Sequence, residues 1–259
     1  MIYTDQLNRE IQILKPPRRI VSLVPSQTEL LVTLGLAENI VGVTKFCVHP
    51  NTIREEKKVV GGTKKIDYNK IKELSPDIIL CNKEENTKEI VEELEKKYVV
   101  HISDISSIAE SLEMIRQYGA IFKKRAEAND LISIIERECR LFKQFIKNRP
   151  QKRVAYFIWR NPWMLAGVNT FINHLLELNN FVNIVDTHRY PKISDEQLDL
   201  LKEVDILLLS SEPFPFSEKH IQELAQIVPN VEIRLVDGEY FSWYGSRLKD
   251  AFNYFKTLH

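Results

Sequence analysis

Lys45, Lys64, Lys83, Arg160, Arg189 and Arg247 share short segments with Trp159, Trp163, Phe214, Phe216, Tyr240, Phe241, Trp243 and Tyr244, and all three tryptophans of the chain lie in those segments. Flat aromatic faces beside guanidinium and ammonium groups suit a large planar or conjugated ligand with acidic or amide edges. A metal chelate fits that description. The residues expected to touch it are Lys45, His49, Lys64, Asn82, Lys83, Glu84, Trp159, Arg160, Trp163, Arg189, Glu212, Phe214, Tyr240, Trp243 and Arg247. The plainer alternative is that the lysines are solvated and that Phe241 and one tryptophan fill a core. Glu84 and Glu212 each follow an aspartate by 7 residues. They are read either as cation ligands, as partners of Lys83 and Arg160, or as structural pairs within each half.

Covalent chemistry has little support. Cys47 and His49 share a segment, but no third group orients them, and they remain only a distant alternative for catalysis. The chain contains no G-x-G-x-x-G, no G-x-x-x-x-G-K and no H-E-x-x-H. Its six histidines show no metal-ligand spacing, so no metal is assigned. The 36 basic residues equal the 36 acidic ones, a balance without a long-range pull on nucleic acid or anionic lipid. No run approaches the roughly 20 apolar residues of a membrane span. The first residues lack the pattern of a secretory signal, which places the chain as written in the cytoplasm; a start following a removed signal would place it in the periplasm. Three widely spaced cysteines fit unpaired thiols better than a disulfide framework.

The elements that must position these residues occur twice. RIVSLV from Arg19 reads as a buried strand, PSQT as a loop and ELLVTLGL as a helix; RVAYFIW from Arg153 and FINHLLEL from Phe171 repeat the order, with a loop 8 residues longer that includes NPWMLAGV. A second pair, a helix followed by PDIIL at Asp77 and by VDILLL at Asp205, reads as an interior parallel strand in each half. Between the halves, Ser107 and Glu110 form a capping box, and apolar residues continue at helical spacing to Phe145. The expected fold is therefore α/β, with two Rossmann-like lobes of small parallel sheets joined by a long α-helix. The lobes are expected at 1–104 and 151–259, with connecting helices at 105–150. A helix of this length is stiff, so the lobes are expected to rock by small angles. Ligands of open α/β sheets bind beyond the carboxyl ends of the strands, which selects the segments named above for a shared cleft.

RIVSLVPSQTELLVTLGL, the P-D-I-I-L strand, the long helix and the closing DGEYFSWYGSRL together resemble the helical-backbone metal receptor family, class III periplasmic binding proteins, from about Thr4 to the end. The resemblance implies a binding protein rather than an enzyme. It also implies a corrinoid, haem or ferric siderophore as ligand, with no resident cofactor, and an ABC importer membrane subunit as partner. Relatives that bind cobalamin carry aromatic residues where this chain has Asn82 and the segment from Gly62 to Lys64. Importer-linked relatives carry one docking glutamate per lobe; Glu196 matches the second, while Asn69 stands at the first. A cytosolic carrier or sensor of the same ligands is the alternative function.

Overall fold

The structure, a computed structural model, describes residues 1–259 except for the side chains of Asp195, Glu196 and Asp199. The chain divides into two units. One contains Met1–Ile105, Ala109–Glu136 and Tyr244–Lys249; the other contains Ser106–Ile108, Arg137–Trp243 and Asp250–His259.

In the first unit, β1 (Ile2–Thr4) and β2 (Glu10–Gln12) pair antiparallel. A five-stranded parallel sheet follows, in the order β5-β4-β3-β6-β7, from β3 (Ile20–Ser22), β4 (Ile40–Val43), β5 (Lys58–Val59), β6 (Ile78–Asn82) and β7 (Val100–Ser103). Helices α1 (Pro25–Thr33), α2 (Ile53–Glu56), α3 (Tyr68–Leu74) and α4 (Lys88–Glu95) alternate with the strands. Val21, Ile79, Cys81 and Ile102 of the sheet pack with Ile71, Ile90 and Leu94 of the helices, the burial expected of a parallel sheet covered by helices. PSQT is not a loop. Pro25 opens α1, where its missing N–H costs nothing, and Ser26, Gln27 and Thr28 are buried in the first turn.

Two helices follow, α5 (Ile108–Ile121) and α6 (Arg125–Ile146), the second of 22 residues and about 33 Å long. Residues of α6 up to Glu136 belong to the first unit and those from Arg137 to the second.

The second unit repeats the parallel arrangement with β10 (Phe181–Asn183), β8 (Lys152–Trp159), β12 (Ile206–Ser210) and β13 (Glu232–Val236). Here the expected small parallel sheet is mixed. β9 (Trp163–Leu165) folds back antiparallel onto the far end of β8, and β11 (Lys192–Ile193) pairs with β9. Much of NPWMLAGV is thus an added strand rather than an open loop, because the buried side chains of Trp163 and Leu165 join the core with Phe157, Leu207 and Phe216. Helices α7 (Phe171–Leu178), α8 (Glu218–Ile227), α9 (Gly238–Ser242) and α10 (Leu248–Lys256) and a 3₁₀ segment at Asp195–Glu203 complete the unit. A Cβ on Gly238 would lie 2.3 Å from Ser210 Oγ and 2.9 Å from the Glu212 nitrogen, so only glycine lets α9 start against the turn after β12.

The repeated aspartates have one structural role. Asp77 Oδ2 accepts backbone N–H bonds from Arg18 (2.8 Å) and Arg19 (3.0 Å), and its own N–H donates to the Arg19 carbonyl (2.8 Å). Asp205 Oδ2 accepts from the Arg153 N–H (2.6 Å), and its N–H donates to the Arg153 carbonyl (2.8 Å). Each aspartate therefore ties the starts of two adjacent central strands. Replacing Asp77 or Asp205 by alanine is expected to cost about 1 kcal/mol each, and the double variant about the sum, because the two clamps share no partner. Urea unfolding measures this; unchanged midpoints for both variants would show that the clamps contribute nothing.

Candidate functional site

Three consecutive parallel strands, β4, β5 and β6, deliver most of the first-unit candidates at their carboxyl ends. Lys45 is exposed, its ammonium 5.0 Å from the centre of the Phe46 ring, and its backbone bonds to Gly61. Lys64 is exposed, and its ammonium donates to the Glu84 carbonyl. Lys83 pairs with Asp104 at 2.5 Å. His49 and Glu84 are half-buried on the same set of turns. Asn82 is buried and fully engaged: Oδ1 accepts from the N–H groups of Glu84 (2.8 Å) and Glu85 (3.1 Å), and Nδ2 donates to Ser103 Oγ (3.0 Å) and the Ser103 carbonyl (3.2 Å). Its role is to shape the turn. Arg247 belongs to this unit and is held bidentate by Glu29, at 2.7 and 3.1 Å.

Beneath these turns lies a buried polar network that the sequence reading missed. Gln27 Nε2 donates to Ser103 Oγ (2.6 Å) and Tyr244 Oη (3.3 Å), and its Oε1 accepts from Tyr118 Oη (2.8 Å). Burial raises both phenols well out of the ionising range, so the network is neutral. Cys47 Sγ shares hydrogen bonds with Thr28 (3.1 Å) and Thr44 (3.3 Å), and burial pushes the thiol up despite them. Cys81, wholly buried, is pushed up to about 12. A thiol needs the opposite environment to act as a nucleophile, which argues against Cys47 in that role.

In the second unit the ends of β8, β12 and β13 carry aromatic rings. Trp159 is 39% exposed and stands edge-on to Phe214, 5.6 Å between centroids. Phe214 in turn packs edge-on against Phe216 (4.8 Å) and His220 (5.2 Å). Trp163 and Trp243 do not share this exposure, at 2% and 6%. Trp163 stacks in the core against Phe216 with Arg160 4.0 Å above its ring. Trp243 Nε1 donates to Glu212 Oε1 (2.7 Å), which also accepts from Ser242 Oγ (2.5 Å). Glu212 therefore anchors α9 and its exit rather than pairing with Arg160, which donates to Glu223 Oε1 from Nη2 (2.5 Å) and Nε (3.2 Å). Tyr240 stacks on Tyr254 at 4.8 Å, and Arg189 is exposed with a left-handed backbone, φ 61°. The side chain of Glu196 lies outside the described residues.

The expected site residues thus divide. Lys45, Lys64, Trp159, Phe214 and Arg189 present side chains at the surface or partly so; Asn82, Trp163, Trp243 and Glu212 are occupied within the fold. Among the described residues no group of three or more His, Cys, Asp or Glu side chains is placed to hold a metal ion. No helix of the described residues is long and apolar enough to cross a membrane. Taken by itself, the second unit offers an exposed indole face at Trp159, and the first unit offers exposed ammonium groups at Lys45 and Lys64.

Residues 20–229 match the family described as periplasmic binding protein. An uncharacterised ABC transporter substrate-binding lipoprotein of Bacillus subtilis (strain 168) is 28% identical over 208 residues. That match covers 75% of this chain and 64% of the lipoprotein, so this chain spans just under two thirds of it. A vitamin B12-binding protein of Vibrio vulnificus (strain YJ016) is 25% identical over 202 residues, covering 75% of this chain and 72% of that one. The crystal structure of a periplasmic heme binding protein from Pseudomonas aeruginosa superposes with a TM-score of 0.81 at 20% identity, over 93% of this chain and 92% of that one.

Because Trp159 alone among the tryptophans is substantially exposed, iodide is expected to quench a part of the emission that Trp159→Phe removes. Stern–Volmer titration of both proteins checks this. Equal quenching before and after the substitution would place the accessible indole elsewhere.

Proposed function

The chain belongs to the periplasmic binding protein family, and from that premise we propose that it binds a corrinoid, haem or ferric siderophore as the substrate-binding component of an ABC importer. The observation that carries this reading is the exposed Trp159 braced by Phe214 at the carboxyl ends of β8 and β12. An indole kept in water at that position supplies a stacking face for a conjugated ring, and bracing lowers the entropy lost on binding. Relatives that bind vitamin B12 support the ligand class, while heme binding by a protein of the same fold leaves the individual chelate to local residues.

Cyanocobalamin, haemin and a ferric hydroxamate siderophore, titrated singly, test the proposal. One of them is expected to quench Trp159 saturably and to stabilise the protein by about 2.7 kcal/mol at 100 times its dissociation constant. Unchanged emission and melting with all three overturns it.

Asn69 favours a second reading, a cytosolic carrier that docks on no importer. It is exposed in the first turn of α3, beside the Asp67 cap, where importer-linked relatives are expected to offer a glutamate. Losing one side of an interfacial charge pair costs about 2–5 kcal/mol. Asn69→Glu is therefore expected to strengthen association with a cobalamin-type importer in detergent, and Glu196→Ala to weaken it. Tight association of the natural protein, indifferent to both substitutions, overturns this second reading.

A further inference from the structure

The turn after β6 holds a carboxylate, that of Glu85, for which no hydrogen-bond or ion-pair partner stands among the described residues. Besides the two N–H bonds to Asn82 Oδ1, Asn86 Oδ1 accepts from the Asn82 N–H (2.9 Å) and Asn86 Nδ2 donates to the Thr63 carbonyl (3.0 Å). Lys64 is engaged with the Glu84 carbonyl. The backbone of the turn, and with it the place of Glu85, is thus set by groups other than the Glu85 side chain. Glu85 is half-buried, and among the described residues its carboxylate makes no hydrogen bond or ion pair. The ionisable groups around it are Lys64 beyond β5, Glu84 on its own turn, Cys47 beyond β4 and Tyr244 of the closing segment. Loss of solvent raises its pKa most; Lys64 opposes the shift and Glu84 adds to it.

Removing a carboxylate from water without a compensating bond is unfavourable. A glutamate on a loose loop would turn outward to escape that cost. A clamped turn that keeps Glu85 half-buried points to a partner from outside the chain. We propose that Glu85 is a specificity-determining residue of the ligand site, accepting N–H or O–H groups from the rim of an amide- or hydroxyl-edged chelate and, with Glu84, disfavouring a carboxylate-edged one. This assignment rests on the chelate-binding reading above.

The sign of its pH dependence follows from linkage. A rim donor stabilises the ionised carboxylate, so binding lowers the pKa of Glu85 and releases a proton. Affinity for an amide-edged chelate then rises with pH through the raised pKa of the free protein and levels above it; a carboxylate-edged chelate behaves oppositely. The free protein also carries a mark. A carboxyl whose pKa is raised on folding makes the fold less stable as pH rises from the ordinary carboxylate range through that raised value.

Glu85→Gln keeps the size and the backbone bonds of the turn. Cyanocobalamin serves as the amide-edged probe and haemin as the carboxylate-edged one. The substitution is expected to weaken cyanocobalamin about tenfold or more, to abolish the rise of affinity with pH, and to strengthen haemin. Its melting temperature at neutral pH is expected to equal or exceed that of the natural protein. Unchanged cyanocobalamin affinity and pH profile overturns the assignment alone, as does binding of haemin but not cyanocobalamin by the natural protein. A melting temperature lowered by several degrees also overturns it, since the carboxylate would then be satisfied within the fold. Binding of neither probe by the natural protein overturns the assignment, and the chelate reading falls with it only when the ferric hydroxamate fails to bind as well.

Discussion

Two carboxylates at strand starts govern the rest of the molecule. Asp77 holds the beginning of β6 against that of β3, and Asp205 holds β12 against β8, in each case through backbone N–H groups of the neighbouring strand. The registers that result, Ile20 beside Ile78 and Val154 beside Ile206, decide at what height each strand ends. A slip of one residue would invert every side chain along a strand. Asn82, Glu84 and Glu85 in one unit, and Glu212 and Phe214 in the other, emerge where they do because these clamps lie at the opposite ends of the same strands.

From that shared plan the two units diverge in chemistry. The first ends its strands in amide and carboxylate groups over a neutral network of Gln27, Ser103, Tyr118 and Tyr244. The second ends its strands in rings, with Trp159 outermost and Phe214, Phe216 and His220 behind it. Several cations read as ligand contacts are already neutralised: Lys83 by Asp104, Arg160 by Glu223, Arg247 by Glu29. Such pairs add little to affinity unless a ligand displaces the partner. What the second unit then offers at these strand ends is chiefly the Trp159 ring, and what the first offers is hydrogen-bonding groups together with the exposed Lys45 and the Glu85 carboxylate.

The repeated architecture was legible because it is written in short-range pattern. Buried strand runs and their repetition are local patterns, and the 22-residue helix Arg125–Ile146 follows from an apolar stripe ended by Pro150. The fate of individual side chains was not legible, because it depends on tertiary neighbours. Trp163 and Trp159 lie four residues apart, yet β9 folds back and carries one into the core while the other stays at the surface. Glu84 drew attention through its matched spacing with Glu212, whereas the unpartnered carboxylate is the next residue. A signal for it existed: asparagines at 82 and 86 flanking EE after a strand are the makings of a clamped turn.

The claim on which the functional reading depends is that the chain retains a metal chelate. The direct measurement is to mix the purified protein with cyanocobalamin, haemin or a ferric hydroxamate in slight excess, separate it by gel filtration, and read the visible spectrum of the protein peak. One of the three is expected to co-elute at one chelate per chain, and Trp159→Ala to lose it. A protein peak free of chromophore in all three separations would contradict the account.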